Sequence, residues 1–128
     1  MRVKVILNPA ADNGRAAQLQ TGILQAAKPF GQLELVLAQR PRHAEQLARE
    51  AAAAGYDLVV AAGGDGTVHE VVNGLMAEGK PAAKLGVIPL GSGNDFAFCS
   101  GVAADWPTAV TRLFAGQSKW VDLAYIED

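Results

Sequence analysis

Hydrophobic positions along this chain switch between two spacings, one suited to strands and one to helices. Val3, Val5, Ile6 and Leu7 form an apolar run halted by Asn8 and Pro9, which predicts a buried strand over 3–7. Residues 10–14 read as loop. Ala16, Leu19, Ile23, Leu24 and Ala27 then share one helical face, and Lys28 with Pro29 ends that helix. Leu33, Leu35 and Leu37 alternate as a second strand, with Val36 on its other face. Ala44, Leu47, Ala48 and Ala51 make the next helical stripe, closed by Gly55. A third strand over 57–62 runs into a turn made almost wholly of glycine. Val68, Val71, Val72, Leu75 and Met76 give another helical face. A fourth strand over 84–90 is closed by Gly91, Ser92, Gly93, Asn94 and Asp95. Asp105 is placed to cap a helix carrying Ala109, Val110, Leu113 and Phe114, and 119–126 reads as a last strand.

Strands apolar on both faces, alternating with helices, predict a three-layer α/β/α domain with a mainly parallel sheet over residues 1–128. Ligands of such sheets sit beyond the carboxyl ends of the strands. Three loops are expected there: 8–15, 63–67 and 91–95, each rich in Gly, Asn and Asp.

Composition narrows this picture. The 128 residues are half hydrophobic and 19% charged, with a net charge of -2, which fits one globular domain and gives no support for nucleic-acid binding. The single Cys99 excludes an internal disulfide and a cysteine zinc cluster, and fits a reducing, cytoplasmic setting. No apolar run approaches the roughly 20 residues of a membrane span.

The glycine turn carries the candidate chemistry. Of Gly63, Gly64, Asp65 and Gly66, only Asp65 has a side chain beyond hydrogen, and the helix that follows aims its first N–H groups at the turn. Glycine suits positions where φ is positive or where a ligand touches bare backbone. The pattern predicts a phosphate cradle with one acid at its centre. Asp65 has two readings, a helix cap or a group that binds Mg²⁺ or takes a proton from an attacking hydroxyl. Thr67 and Glu70 have the spacing of a capping box, which leaves Asp65 for the second role. Arg15 stands near a helix start, where a cation is disfavoured unless a bound phosphate reverses the sign; otherwise it is a solvated surface residue. Asn8, Ser92 and Asn94 either pin their turns or reach a ligand. His43 and His69 lack metal-ligand spacing and read as surface residues, and Cys99 as a small buried one. Trp106, Phe114 and Trp120 read as core. Gly74 to Lys80 matches the start of a P-loop, but Pro81 stands where Ser or Thr is needed and the match follows a helix, so it is rejected. The dinucleotide pattern of three spaced glycines is absent.

Taken together, Gly63-Gly64-Asp65-Gly66-Thr67 and the following His69-Glu70-Val71-Val72-Asn73-Gly74-Leu75 resemble the catalytic-domain family of diacylglycerol kinases, which includes sphingosine, ceramide and bacterial lipid kinases. Asn8-Pro9 with Gly14-Arg15-Ala16, the stretch from Ile88 to Ala97 and the closing Val121-Asp122-Leu123 resemble further parts of it. The glycine-Asp-glycine-Thr core is shared with NAD kinases; the Pro-Leu-Gly-Ser-Gly-Asn-Asp loop separates this chain from them. The resemblance implies the N-terminal domain of the fold shared by NAD kinases and diacylglycerol kinases. It implies ATP-dependent phosphorylation of a lipid hydroxyl, with ATP against Gly63, Gly64, Asp65, Gly66 and Thr67 and with Asn8, Arg15, Gly91, Ser92, Gly93 and Asn94 helping. Asp65 would act near the γ-phosphate, as base or through Mg²⁺.

Ala11, Asp12, Gln39 and Phe98 depart from the family's usual residues, and the second, β-rich domain that bears most of the lipid pocket is not in this sequence. These departures imply a fragment of a longer protein that binds nucleotide weakly, does not turn over lipid alone, touches membrane only peripherally and self-associates through an uncovered apolar face. A nucleotide-binding regulatory module without catalysis, or a fragment of an NAD kinase, are the alternatives.

Overall fold

The computed structural model describes residues 2–11, 14–31, 33–77, 83–90 and 106–114. Four strands, β1 (Val3–Leu7), β2 (Glu34–Leu37), β3 (Leu58–Gly63) and β4 (Lys84–Pro89), form one sheet in the order β2-β1-β3-β4. Every pairing is parallel, with Leu7 level with Leu37 on one side and Ala62 on the other, and Gly63 level with Pro89. Among the described residues four α-helices accompany it: α1 (Gln20–Ala27), α2 (His43–Ala53), α3 (Asp65–Leu75) and α4 (Trp106–Phe114). The three-layer α/β fold read from the sequence is the fold observed.

The two spacings of apolar residues explain the layers. Val3, Val5, Leu7, Val60, Ala62 and Ile88 point to one face of the sheet, where α1 and α4 cover them with Ile23, Ala27, Ala109 and Val110. Ile6, Val59, Ala61 and Val87 point to the other, under Ala44, Ala48 and Ala51 of α2 and Val68, Val71, Val72 and Leu75 of α3. Leu33, Leu35 and Leu37 lean on the first core and Val36 on the second, as alternation requires. Gly74 lets α2 and α3 approach closely: a Cβ there would collide with the Glu45 carbonyl oxygen and lie 2.8 Å from Ala48 Cβ.

Some expectations change. The first helix opens as a 3-10 segment, Arg15–Leu19, because Gly14 at φ 87 turns the chain sharply into it. Within α1, Ile23 and Ala27 face the core while Leu24 is 38% exposed. Phe30, just beyond α1, is 50% exposed. Strand β3 continues through Gly63 rather than stopping before it. The expected last strand at 119–126, the Asp105 cap, Asp12, Phe98, Cys99, Trp120 and the Phe114 side chain lie outside the described residues.

Candidate functional site

From β1 the chain crosses to β2 on one side, then returns over β1 to β3 on the other. The carboxyl ends of β1 and β3 therefore flank the point where the strand order reverses. Both loops leaving them carry candidate residues.

The first loop is built on Asn8. Its backbone N–H continues the ladder to the Ala62 carbonyl at 2.9 Å. Its Oδ1 accepts from the Ala10 N–H at 3.0 Å, which closes a side-chain turn around Pro9. Gly14, in the left-handed region, donates to the carbonyls of Ala10 and Ala11, each at 3.1 Å. Arg15 follows, exposed, at the start of the 3-10 segment. Ala11 packs against the first core, so its departure from the family pattern is filled by an apolar contact.

The second loop has almost no length. Gly64 is extended (φ -95, ψ -167) and α3 begins at the next residue. The N–H groups of Thr67 and Val68 both find the Gly64 carbonyl, at 3.1 and 3.2 Å. Those of Asp65 and Gly66 precede the first intrahelical acceptor and lie at the positive end of the helix. Asp65 is half-buried and Gly66 exposed. Among the described residues, positive φ occurs at Gly14, Gly31, Gly55 and Arg42, and at none of Gly63, Gly64 and Gly66. Gly63 serves close approach, to Thr67, rather than backbone hand. At Gly66 a Cβ would meet nothing within 4 Å, so bare backbone faces open space.

The capping-box reading of Thr67 and Glu70 is overturned. The cap is Gly64, and Thr67 is the third residue of the helix, 5% exposed. Its Oγ1 instead accepts from Asn8 Nδ2 at 3.2 Å. Residues 59 positions apart thus join the two loops, and only the adjacency of β1 and β3 could have revealed it.

Strand β4 ends at the same edge of the sheet. Leu90 donates to the Gly63 carbonyl at 3.0 Å, so β4 ends beside the glycine turn. Gly91, Ser92, Gly93 and Asn94 lie outside the described residues. His43, at the first position of α2, accepts at Nδ1 from the Gln39 N–H at 2.8 Å and so holds the turn after β2. No group of three His, Cys, Asp or Glu suited to a metal occurs among the described residues.

A family model for the diacylglycerol kinase catalytic domain matches residues 2–126. The chain belongs to this family. A diacylglycerol kinase of Staphylococcus aureus (strain bovine RF122 / ET3-1) is 33% identical over 123 residues, 95% of this chain and 39% of the relative. A probable YegS-like lipid kinase of Pseudomonas aeruginosa is 41% identical over 83 residues, 65% of this chain and 27% of the relative. A solved putative diacylglycerol kinase from Bacillus anthracis str. Sterne superposes with a TM-score of 0.80 at 30% identity, over 91% of this chain and 42% of that one. The chain thus spans about two fifths of the length of the diacylglycerol kinases it matches. Family membership covers both described loops and the α3 turn, which lie within the matched residues.

Proposed function

We propose that this chain is the nucleotide-binding part of an ATP-dependent lipid kinase, which moves the γ-phosphate of ATP to the hydroxyl of diacylglycerol or a related lipid alcohol. The observation that carries this reading is the meeting of the 8–15 loop and the 63–67 turn at the strand-order reversal, in a chain of this family.

Phosphoryl transfer asks a protein chiefly for position and for compensation of charge. Gly64 and Gly66 offer bare backbone to a polyphosphate at the start of α3, where the helix dipole favours anions. Arg15 adds a cation one residue after the Gly14 turn. Ser92, between Gly91 and Gly93, and Asn94, next in sequence, supply further donors from beyond β4. Asn8, Gly63 and Thr67 form the floor on which these groups stand.

Asp65 takes the proton of the lipid hydroxyl or holds Mg²⁺. Among the described residues no group of three His, Cys, Asp or Glu surrounds a metal position, which fits an ion that keeps water and substrate phosphates as its other ligands. Bound there, Mg²⁺ would offset the negative charge of the phosphates. In this reading residues 1–128 are the nucleotide domain, the lipid pocket belongs to another part of the protein, and the domain alone binds ATP without turning lipid over. The enzyme works from the cytoplasm by peripheral membrane contact; among the described residues no helix is long and apolar enough to cross a membrane.

The test is a calorimetric titration with ATP, with and without Mg²⁺, joined to a kinase assay of the full natural polypeptide against a panel of lipid alcohols and NAD. Metal-dependent ATP affinity that Asp65→Asn removes, together with lipid labelling, supports the proposal. Labelling of NAD alone would move the chain to the NAD kinases. Nucleotide binding with no transfer would mark a regulatory module.

A further inference from the structure

Resting on the nucleotide reading above, we propose that Asn8 and Thr67 are positioning residues: their hydrogen bond clasps the loop after β1 to the first turn of α3, and neither side chain is spent on the nucleotide. Three observations converge on this. The orientation of the Asn8 amide is dictated by its neighbour. The Ala10 N–H can only donate, so Oδ1 must face it, at 3.0 Å, and Nδ2 is thereby aimed at Thr67. Thr67 Oγ1, at 3.2 Å, is then the acceptor.

Thr67 is also turned inward. It is 5% exposed, and its side chain fills the space beside Gly63. A Cβ on Gly63 would stand 2.5 Å from Thr67 Oγ1 and 2.9 Å from Thr67 Cβ. Gly63 is in β3 with no positive φ, so that contact, rather than backbone hand, is what its lack of a side chain serves. The register explains why the three meet. Leu7 is level with Ala62, which sets Asn8 beside Gly63, and Thr67 lies four residues on from Gly63. One contact thus accounts for the Asn of the first motif and for the first glycine and the threonine of the second.

The consequence is a coupling. The turn that Asn8 closes around Pro9 and the turn that bears Asp65 and Gly66 cannot move apart without breaking the Asn8–Thr67 bond. Four variants of the full natural polypeptide test this: Asn8→Ala, Thr67→Val, the two combined, and Thr67→Ser. The measurements are calorimetric affinity for ATP with Mg²⁺ and hydrogen exchange at the Ala10 amide. Each of Asn8→Ala and Thr67→Val should weaken ATP about three- to tenfold. The combined variant should be no weaker than the worse of the two, and Thr67→Ser should stay close to the unaltered protein. Ala10 should exchange faster in Thr67→Val, although Ala10 itself is untouched. Losses that multiply in the combined variant would mean two separate contacts to the nucleotide and would overturn the clasp. So would Ala10 protection that ignores Thr67→Val. Should Thr67→Val not fold, Thr67→Ala takes its place in the single and the combined variant, with the same predictions. Failure of the unaltered polypeptide to bind ATP defeats the nucleotide reading and the clasp's role with it; the other adverse outcomes defeat the clasp only.

Discussion

A methyl group at Gly63 and a methyl group at Gly66 would have opposite fates, although both residues belong to the same glycine turn. At Gly63 it would press on Thr67 Oγ1 at 2.5 Å. Overpacking of that kind costs about 1–3 kcal/mol, so Gly63→Ala should lower the unfolding free energy by that much in a denaturant titration. At Gly66 it would meet nothing, and the residue is already helical. Gly66→Ala should leave stability unchanged or raise it by about 0.5–1 kcal/mol. Under the proposed function it should still weaken ATP, because the methyl occupies the space a phosphate would approach. Loss of stability without loss of affinity at Gly66 would remove that glycine from the site. Arg42 presents the inverse case, a residue with a side chain where φ is 66. The left-handed conformation costs about 1–2 kcal/mol, and glycine's extra entropy in the unfolded chain returns about 0.5–1 of it. The strain is the larger quantity, so Arg42→Gly should raise the unfolding midpoint modestly.

Among the elements, the sheet and the helix faces were legible because each is written in a period of one segment. The spacing of Ala44, Ala48 and Ala51 puts them on one side of α2 whatever else the chain does. The 3-10 opening of the first helix and the identity of the α3 cap were not legible in that way. They are set by contacts between distant segments: Gly14 against Ala10 and Ala11, Thr67 against Asn8 and Gly63. The candidate site was legible to the same extent. The loops after β1 and β3 could be assigned to one edge, but that Thr67 serves Asn8 could not. The α2–α3 packing yields a prediction at this scale. Gly74→Ala would drive a methyl into the backbone of α2 at Glu45 and against Ala48. Backbone cannot yield as a side-chain tip does, so a loss of about 1–3 kcal/mol is expected. At the far end of the sheet, Tyr56 and Lys4 both hydrogen-bond Glu34, and hold its carboxyl below its ordinary value. A depressed acid contributes stability above its unfolded pKa and loses it as pH falls through the folded value. Glu34→Gln should therefore lower stability slightly at neutral pH, only slightly because Glu34 is exposed, flatten the acid limb, and leave low pH nearly unaffected.

For the whole molecule, the strand order and the single acid of the glycine turn combine into one measurable dependence. A ligand that binds only the folded state stabilises it in proportion to the logarithm of its concentration over Kd, about 2.7 kcal/mol at a hundredfold excess. Under the proposed function, ATP held by the backbone of the α3 turn and by Arg15 should raise the thermal midpoint by several degrees without metal. Mg²⁺ should raise it further, because a cation between Asp65 and the phosphates removes the repulsion that carboxylate and nucleotide otherwise share. Asp65→Asn separates the two contributions. It deletes the repulsion and the metal's ligand together, so the rise with ATP alone should grow while the added rise with Mg²⁺ disappears. The sign of the metal-free change is the informative part. A carboxylate set apart from the phosphates would leave that value unaltered on conversion to Asn, whereas one at the mouth of α3, half-buried beside Gly66, must make ATP bind better when its charge is gone.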